Sequence, residues 1–498
     1  MVPKGMIRMK ARLPHEFIRT LKQYNLFDVL KSISEYSSEL FCQKESELTA
    51  AKFETLTLGY RSGRILITAW YLVDMAYLAI LHCDGNKTIE NKNDFFKLAN
   101  LYNGYFQENE RNQPFLKDKS KFNDFMLYLY GFAGEQFKFQ NTTNTAAIMD
   151  NFCRNTYLLD IISKEFNNID IGTIVYEEIG VTERELSAIL WNLSIVALQE
   201  PFVLNAGEYY NKGIISEDKV KLVVDYFSSD IASIKSSKLK RQQLYATPFI
   251  KLNSEQYITN NVYLLLFLFE NAAYWVVRNY FQKRGSQEFT NIFGDYFELY
   301  FKQLLETYLD DSMFHKIPEE DDNRADWCLE IGNHTFLIEQ KSALTGLNAK
   351  QQMSDIDQTK TYISRNWLKA LKQLHKTEQL YKKNSEPIIK IVLIYEDYFK
   401  DEILENAFNL EGNTVQDDGY YWLASIADVE MLLHTYNNNP DLFKEIIETK
   451  IALETSKSRE GRELGQILNR FGVDTNEHIH SPSFSCYKTN LIKDSKTN

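Results

Sequence analysis

One segment of the chain reads Arg324-Ala-Asp-Trp-Cys-Leu-Glu-Ile-Gly-Asn-His-Thr-Phe-Leu-Ile-Glu-Gln-Lys341. Gly332-Asn333 is typical of a two-residue hairpin loop, and largely apolar runs flank it on both sides. We therefore predict strands at 325–331 and 334–341. If the loop has only these two residues, Ile331 pairs with His334, and counting back along both strands places Asp326 directly opposite Glu339.

The predicted pairing brings two carboxylates together on one face of a sheet. Residues directly opposite each other in an antiparallel pair have Cβ atoms about 4.5–5.5 Å apart. Like charges at this distance repel, and a divalent cation between Asp326 and Glu339 would remove the repulsion. Lys341 follows Glu339 by two residues and points to the same face. An ammonium beside a metal can orient an attacking water and stabilise phosphorane charge.

An acid-x-Lys tripeptide alone is a weak signal, because this chain contains four others. They are Glu90-Asn-Lys92, Glu217-Asp-Lys219, Glu448-Thr-Lys450 and Asp494-Ser-Lys496. Only Glu339-Gln-Lys341 follows an apolar strand and has a facing carboxylate. The alternative interpretation of the spacing is a surface salt bridge at the end of a hairpin.

The patterns along the chain predict an α+β multidomain protein. Residues 1–285 are expected to be mostly helical, with apolar residues at three- and four-residue spacing and a short hairpin near 247–259. A junction is expected at Lys283-Arg-Gly-Ser-Gln287. Residues 286–437 are expected to form an α/β domain with a central mixed sheet, and 438–498 a helical C-terminal extension with an irregular tail.

Within the predicted α/β domain, helical and strand patterns alternate. Helices are predicted at 288–309, 349–383 and 426–436. Short strands are predicted at 312–317 and 420–424. The run Ile388-Ile-Lys-Ile-Val-Leu-Ile-Tyr395 is continuously apolar apart from one lysine, which is typical of a buried strand.

The segment from Arg324 to Lys341 resembles the PD-(D/E)XK nuclease superfamily, which has the restriction-endonuclease-like fold. Asp326 matches the aspartate of the core hairpin, and Glu339-Gln340-Lys341 matches (D/E)XK. Ala325 stands where the motif has proline, a position that varies in the superfamily. Gly294-Asp-Tyr-Phe-Glu298 resembles the first motif, whose glutamate often completes the metal site. The resemblance covers about 289–436.

The resemblance implies a Mg²⁺ site, which Mn²⁺ can also fill. The implied metal ligands are Asp326, Glu339, the backbone carbonyl of Gln340, and Glu298 as a direct ligand or a residue behind one. Lys341 is implied to position the nucleophile. A glutamine on the following helix often points toward the site.

Two glutamines compete for this last position, Gln373 and Gln358. We favour Gln373 because its helix leads straight into the strand at 388–395. That connection closes as a right-handed crossover.

The net charge of −12 argues against nucleic-acid binding over the whole surface. A local basic stretch remains available for phosphates. Its candidate nucleic-acid-binding residues are Lys350, Lys360, Arg365, Lys369, Lys372 and Lys376. The alternative interpretation is a solvated helix face.

The expected function is therefore metal-dependent hydrolysis of nucleic-acid phosphodiesters, with DNA favoured and a role in prokaryotic antiphage defence or restriction suggested by analogy. The alternative is a catalytically silent nuclease-like domain that binds nucleic acid or acts as a sensor or scaffold subunit. A homodimer or a partner subunit such as an ATPase is compatible with either. No phosphate-binding P-loop is present in the sequence.

Cysteine usage and the lack of a leader pattern favour the cytoplasm. The apolar stretches 67–81 and 262–281 are expected to be buried helices, not membrane spans. The first is too short and carries Asp74, and the second is interrupted by polar residues. His478-Ile-His480 with Cys486 is a weak candidate for a second metal site.

Overall fold

The structure is a computed structural model that describes residues 14–42, 57–60, 63–66, 68–111, 139, 145–165, 169–199, 203–205, 216–254, 256–318, 324–342, 360–361, 363–381, 387–395, 401–456, 460–481 and 483–484. It is α+β, as the sequence predicts.

Helices dominate the first part of the chain, because apolar residues recur there at helical spacing. Glu183–Gln199 begins with a capping box, as its sequence predicts. The Glu185 N–H donates to Thr182 Oγ1 (3.2 Å), and the Thr182 N–H donates to Glu185 Oε2 (3.0 Å). The helices are α1 Pro14–Leu21, α2 Leu26–Cys42, α3 Ala69–His82, α4 Lys92–Arg111, α5 Thr145–Glu165, α6 Ile171–Ile179, α7 Glu183–Gln199, α8 Glu217–Tyr226, α9 Ile231–Ser236, α10 Gln243–Ala246 and α11 Val262–Lys283.

Two small sheets accompany these helices. β1 Thr57–Tyr60 and β2 Gly63–Leu66 form a hairpin. The hairpin predicted near 247–259 is confirmed as β5 Phe249–Lys251 and β6 Gln256–Thr259. The sequence did not predict its flanking strands, β3 Val203–Asn205 beside β6 and β4 Ser228–Asp230 beside β5. A three-residue strand is too short to show a period.

Both apolar stretches that resemble membrane spans are confirmed as buried helices. They correspond to α3 and α11, and α11 packs against α5, α6 and α7. Asn261 caps α11 by accepting a hydrogen bond from the Tyr263 N–H (3.0 Å). In the part of the chain that the structure describes, no helix combines the length and the apolar character needed to cross a membrane.

The second part of the chain is built on a five-stranded mixed sheet. Its strands are β7 Phe314–Lys316, β8 Trp327–Ile331, β9 His334–Lys341, β10 Ile389–Ile394 and β11 Tyr421–Ser425. Their spatial order is β11-β10-β9-β8-β7. The pairs β7–β8 and β8–β9 are antiparallel, while β10 is parallel to both β9 and β11. The helices are α12 Glu288–Tyr308, α13 Lys369–Tyr381, α14 Glu402–Phe408, α15 Ile426–Asn438, α16 Pro440–Glu454 and α17 Leu464–Arg470, and a π-helical turn at Ser364–Leu368 precedes α13.

Helices cover the two faces of this sheet, and the alternation of side chains along β9 separates them. Phe336 and Ile338 pack with Phe297 of α12 in one hydrophobic core. Leu337 packs with Leu371 and Leu374 of α13 in a second core. The first core continues without a break into the N-terminal helices. The division into domains near residue 285 stays a prediction, because the regions on either side share packing.

A buried ion pair joins the two parts of the chain. Arg154 of α5 donates from Nε to Glu430 Oε1 (2.6 Å) and from a terminal nitrogen to Oε2 (2.5 Å). Tyr300 and Asn476 each donate a further hydrogen bond to this carboxylate. Burial alone raises the pKa of Glu430, but Arg154 and the hydrogen bonds outweigh burial and hold the pKa below its ordinary value. Glu430 is therefore charged and fully bonded inside the core.

Replacing Glu430 with Gln should lower the free energy of unfolding by about 3–5 kcal/mol, because Arg154 then remains buried without its counter-charge. Urea denaturation monitored by circular dichroism measures the change. Glu306→Gln is the matched control, since Glu306 forms a half-exposed i,i+4 pair with Lys302. Its effect should stay within about 0.5 kcal/mol. Equal changes in the free energy of unfolding for the two variants would contradict a stabilising role of the buried Arg154–Glu430 pair.

Candidate functional site

The β8–β9 hairpin has the register that the sequence predicts. Ile331 pairs with His334 and Trp327 with Ile338, and the Asp326 N–H donates to the Ile338 carbonyl (2.9 Å). Gly332 has φ +61°, as the first position of a type II′ turn requires, so glycine suits this place. β8 begins at Trp327 rather than at the predicted 325. The Ala325 N–H leaves the ladder and donates to Thr377 Oγ1 on α13 (2.8 Å).

Asp326 precedes β8 and lies opposite Glu339 at one end of the sheet. Its Oδ2 accepts a hydrogen bond from the Gln340 backbone N–H (2.6 Å). Burial raises the pKa of Asp326 to about 6 against the opposing effects of this hydrogen bond and of Lys341. The carboxylate is thus held by the strand that carries its partner.

Glu339 is the most deeply buried group of the site, with 2% of its surface exposed. Its Oε1 lies 2.5 Å from Lys341 Nζ. Its Oε2 is buried and has no hydrogen-bond partner among the described residues. Burial, and then the negative charge of Asp326, raise the pKa of Glu339 to about 8, although Lys341 acts in the opposite direction. Oε2 therefore remains available as an acceptor among the described residues, and burial disfavours the charged form of Glu339.

Lys341 is held between Glu339 and Gln373 of α13. Its Nζ donates to Gln373 Oε1 (3.3 Å), and Gln373 Nε2 donates to the Arg324 carbonyl (3.1 Å). These two bonds fix the orientation of the amide, since the reversed amide would turn NH₂ toward the ammonium. The structure thus brings Gln373, the favoured glutamine, to the predicted site. Its rival Gln358 lies outside the described residues.

Gln340 connects the site to the opposite face of the sheet. Its side chain accepts a hydrogen bond from Trp327 Nε1 (2.7 Å) and donates to the Phe297 carbonyl of α12 (3.2 Å). One residue therefore holds Asp326 through its backbone and α12 through its side chain. The family resemblance implied a role only for the carbonyl of Gln340, because no local pattern shows where its side chain binds.

Glu298 lies on α12, which covers the face of the sheet opposite to α13. Its Oε1 lies 2.6 Å from Lys316 Nζ of β7, and its charge raises the pKa of Asp326. Within the described ranges, no three or more His, Cys, Asp or Glu side chains form a group that could hold a metal ion. The structure brings Asp326, Glu339 and Lys341 together, while Glu298 pairs with Lys316 and acts on Asp326 through its charge. Gly294, one turn earlier, approaches Ser342 just after β9.

The predicted basic residues form an exposed row on and before α13. Arg365, Lys369, Lys372 and Lys376 are exposed, and Lys360 is half-buried. The positive charge of Lys369 lowers the pKa of Glu339, which places the row within electrostatic range of the site. Lys350 lies outside the described residues.

No sequence pattern pointed to Thr377, which is fully buried on α13 one turn after Gln373. Its hydroxyl accepts from the Ala325 N–H and donates to the Gln373 carbonyl (2.8 Å). It therefore holds the backbone that leads into Asp326. The only local signal is its position four residues after Gln373.

The weak second metal candidate does not assemble in the described residues. His478 Nδ1 lies 3.0 Å from the Tyr308 hydroxyl, and His480 Nε2 lies 3.4 Å from Asp150 Oδ1. Burial lowers the pKa of His478. These histidines fasten the C-terminal segment to the core, and Cys486 lies outside the described residues.

The residues at the hairpin suit a small hard cation. Carboxylate and carbonyl oxygens are the donors that Mg²⁺ prefers, and the buried Glu339 Oε2 has no hydrogen-bond partner in the part of the chain that the structure describes. Burial raises the pKa values of both carboxyls, and the negative charge of Asp326 raises that of Glu339 further. The donor set therefore fits Mg²⁺ or Mn²⁺ at Asp326 and Glu339.

Comparisons with protein-family models, with curated proteins and with solved structures find no match for this chain.

Without divalent cations, Glu339→Gln should raise the melting temperature at pH 8. The pKa of Glu339 in the fold, about 8, exceeds its ordinary value of 4.5. The native state therefore favours the protonated acid, and stability falls as pH rises from about 4.5 toward 8. The difference between variant and wild type should shrink at pH 5. Thermal denaturation in EDTA at both pH values measures it.

Glu330→Gln is the matched control, because Glu330 is an exposed carboxylate on the same hairpin. It should show no comparable difference between pH 5 and pH 8. If Glu339→Gln melts at or below the temperature of the wild type at pH 8, burial does not penalise the charged form of Glu339, which contradicts the expectation.

Proposed function

We propose that this protein is a metal-dependent nuclease whose active site is formed by Asp326, Glu339 and Lys341. The observation that carries the proposal is the facing pair of carboxylates. Glu339 is buried, its Oε2 has no hydrogen-bond partner among the described residues, and the Lys341 ammonium lies within hydrogen-bonding distance of Oε1. A purely structural hairpin has no need of such a pair, because it costs stability in the absence of a cation.

The surrounding architecture supports the finer assignment of a restriction-endonuclease-like domain to residues 286–437. Helix α12 precedes three antiparallel strands, α13 follows them, and β10 then pairs in parallel with β9. The sequence resemblance places its motifs on α12, at the start of β8 and at the end of β9. The topology is therefore compatible with the motifs that the resemblance assigns.

Each residue of the site has a role that follows from its position. Asp326 and Glu339, helped by the Gln340 carbonyl, would hold Mg²⁺, which lowers the pKa of a bound water and stabilises the leaving oxygen. Lys341, oriented by Gln373, would position the water against the phosphorus and neutralise charge on the phosphate. Glu298 would act through its negative charge, which raises the pKa of Asp326.

The exposed row on α13 supports nucleic acid as the substrate. Lys369, Lys372 and Lys376 span about 10 Å along the helix axis. One strand of duplex DNA presents about three phosphates over this length. DNA is favoured by the family resemblance, and a role in antiphage defence or restriction is proposed by the same analogy.

Cleavage assays test the proposal directly. Purified protein is incubated with supercoiled and linear duplex DNA, single-stranded DNA and RNA, with Mg²⁺ or Mn²⁺. We expect cleavage that EDTA, Glu339→Gln and Lys341→Ala each reduce by at least about 100-fold, as loss of a principal catalytic group does. Glu330→Gln and Lys302→Ala should cleave like the wild type, because both side chains are exposed and lie away from the site.

Cleavage that survives in both site variants would reject this active site. If no variant and no wild-type sample cleaves, Mn²⁺ binding to wild type and to Glu339→Gln separates the remaining cases. Binding lost in the variant keeps the metal site and points to a missing partner, whereas no binding in either rejects the metal site.

Salt dependence tests the basic row. Lys372→Ala combined with Lys376→Ala should weaken DNA binding at low salt. It should also reduce the slope of log affinity against log salt concentration by about 1.8, since each phosphate contact contributes about 0.9. Fluorescence anisotropy with EDTA present measures binding without cleavage. Lys302→Ala combined with Lys444→Ala removes two exposed lysines elsewhere and should leave the slope unchanged.

A further inference from the structure

Helix α5, from the N-terminal part of the chain, reaches the back of the candidate site. Its Arg154 binds Glu430, and the next residue, Asn155, lies 8% exposed among groups from two other segments. Asn155 Nδ2 donates to the Glu270 carbonyl (2.7 Å) and to Asn271 Oδ1 (2.6 Å). These bonds orient the amide so that its oxygen faces Tyr395.

Tyr395 directly follows β10, at the end of the sheet where Lys341 lies. Its neighbour Ile394 pairs with Lys341, and the Tyr395 ring points to the opposite face. The hydroxyl donates to Asn155 Oδ1. The ring packs edge-to-face against Phe293 (5.2 Å between centroids) and Phe297 (5.3 Å) of α12.

The contact continues from Phe297 to the site. The Phe297 carbonyl accepts from Gln340 Nε2 (3.2 Å), and the Gln340 N–H donates to Asp326 Oδ2 (2.6 Å). Close-packed interiors transmit small displacements, so a shift of Tyr395 against α12 moves the group that holds Asp326. A misplacement of about 1 Å at a reacting group is costly for catalysis.

We propose that Asn155 and Tyr395 are positioning residues for the nuclease site, through which the N-terminal helical part sets the orientation of Asp326. The inference rests on the proposed function. It gives that part a direct contribution to the site, one that a separately folded accessory domain would not make. The hydroxyl of Tyr395 is the specific link, because it donates the hydrogen bond to the α5 amide.

Tyr395→Phe tests the link, because it keeps the ring and removes the hydroxyl. Loss of a residue that orients a metal ligand typically costs about tenfold in metal affinity or activity. We therefore expect Tyr395→Phe to weaken Mn²⁺ binding, measured by calorimetry without DNA, and to lower kcat by about tenfold with KM for DNA unchanged. Asn155→Ala removes the other partner and should give the same pattern.

Tyr157→Phe is the matched control on the same helix. It removes a hydroxyl that binds Gln303 (3.1 Å), away from Gln340. It should lose a similar amount of thermal stability while keeping wild-type Mn²⁺ affinity and kcat. All assays are run well below the lowest melting temperature, so that every variant is folded.

The outcomes separate the two proposals. If the wild type binds Mn²⁺ and cleaves DNA, and Tyr395→Phe does both equally well, the positioning role is overturned and the proposed nuclease function stands. Reduced stability in Tyr395→Phe with unchanged Mn²⁺ affinity also overturns it, since the contact is then only structural. Wild type that neither binds Mn²⁺ nor cleaves overturns the nuclease and this inference together.

Discussion

The two-residue turn at Gly332-Asn333 is the constraint on which the site depends. Because Gly332 takes φ +61°, the turn closes without an extra residue and sets the register of the hairpin. Asp326 consequently lies opposite Glu339, with Lys341 on the same face. A shift of one residue would turn Glu339 and Lys341 into the core formed with α12 and would expose Gln340 to α13.

The electrostatics of this hairpin differ from those of the other buried ions. Both oxygens of Glu430 accept hydrogen bonds, and the buried Lys450 of α16 binds Asp401 (2.7 Å) and Glu454 (2.5 Å). Glu339 has a partner on one oxygen only, within the part of the chain that is described. The other buried ions therefore stabilise the packing of distant segments, whereas Glu339 is bonded to Lys341 through one oxygen and burial disfavours its charged form. Sites that sacrifice stability in this way are typical places for function.

The N-terminal helices and the five-stranded sheet pack together around α5 and α12. A continuous hydrophobic core runs through both, and the Arg154–Glu430 pair lies within it. The face of the sheet next to α12 is thus supported by N-terminal helices, while the face next to α13 holds the carboxylates.

The sequence by itself determined the hairpin, its register and the residues on each face, together with the capping of α7 and the buried nature of α3 and α11. These features depend on turn preferences and on periods of two or 3.6 residues, which act over a few residues. Only the tertiary structure decided the hydrogen bonds of the Gln340 side chain, the role of Thr377, the strands that flank the β5–β6 hairpin, and the hydrogen bond between Tyr395 and Asn155. Those contacts join segments far apart in the chain, and packing, not local pattern, selects them. The resemblance implied Glu298 as a direct metal ligand or a residue behind one, and only the packing of α12 decided that its carboxylate binds Lys316 of β7.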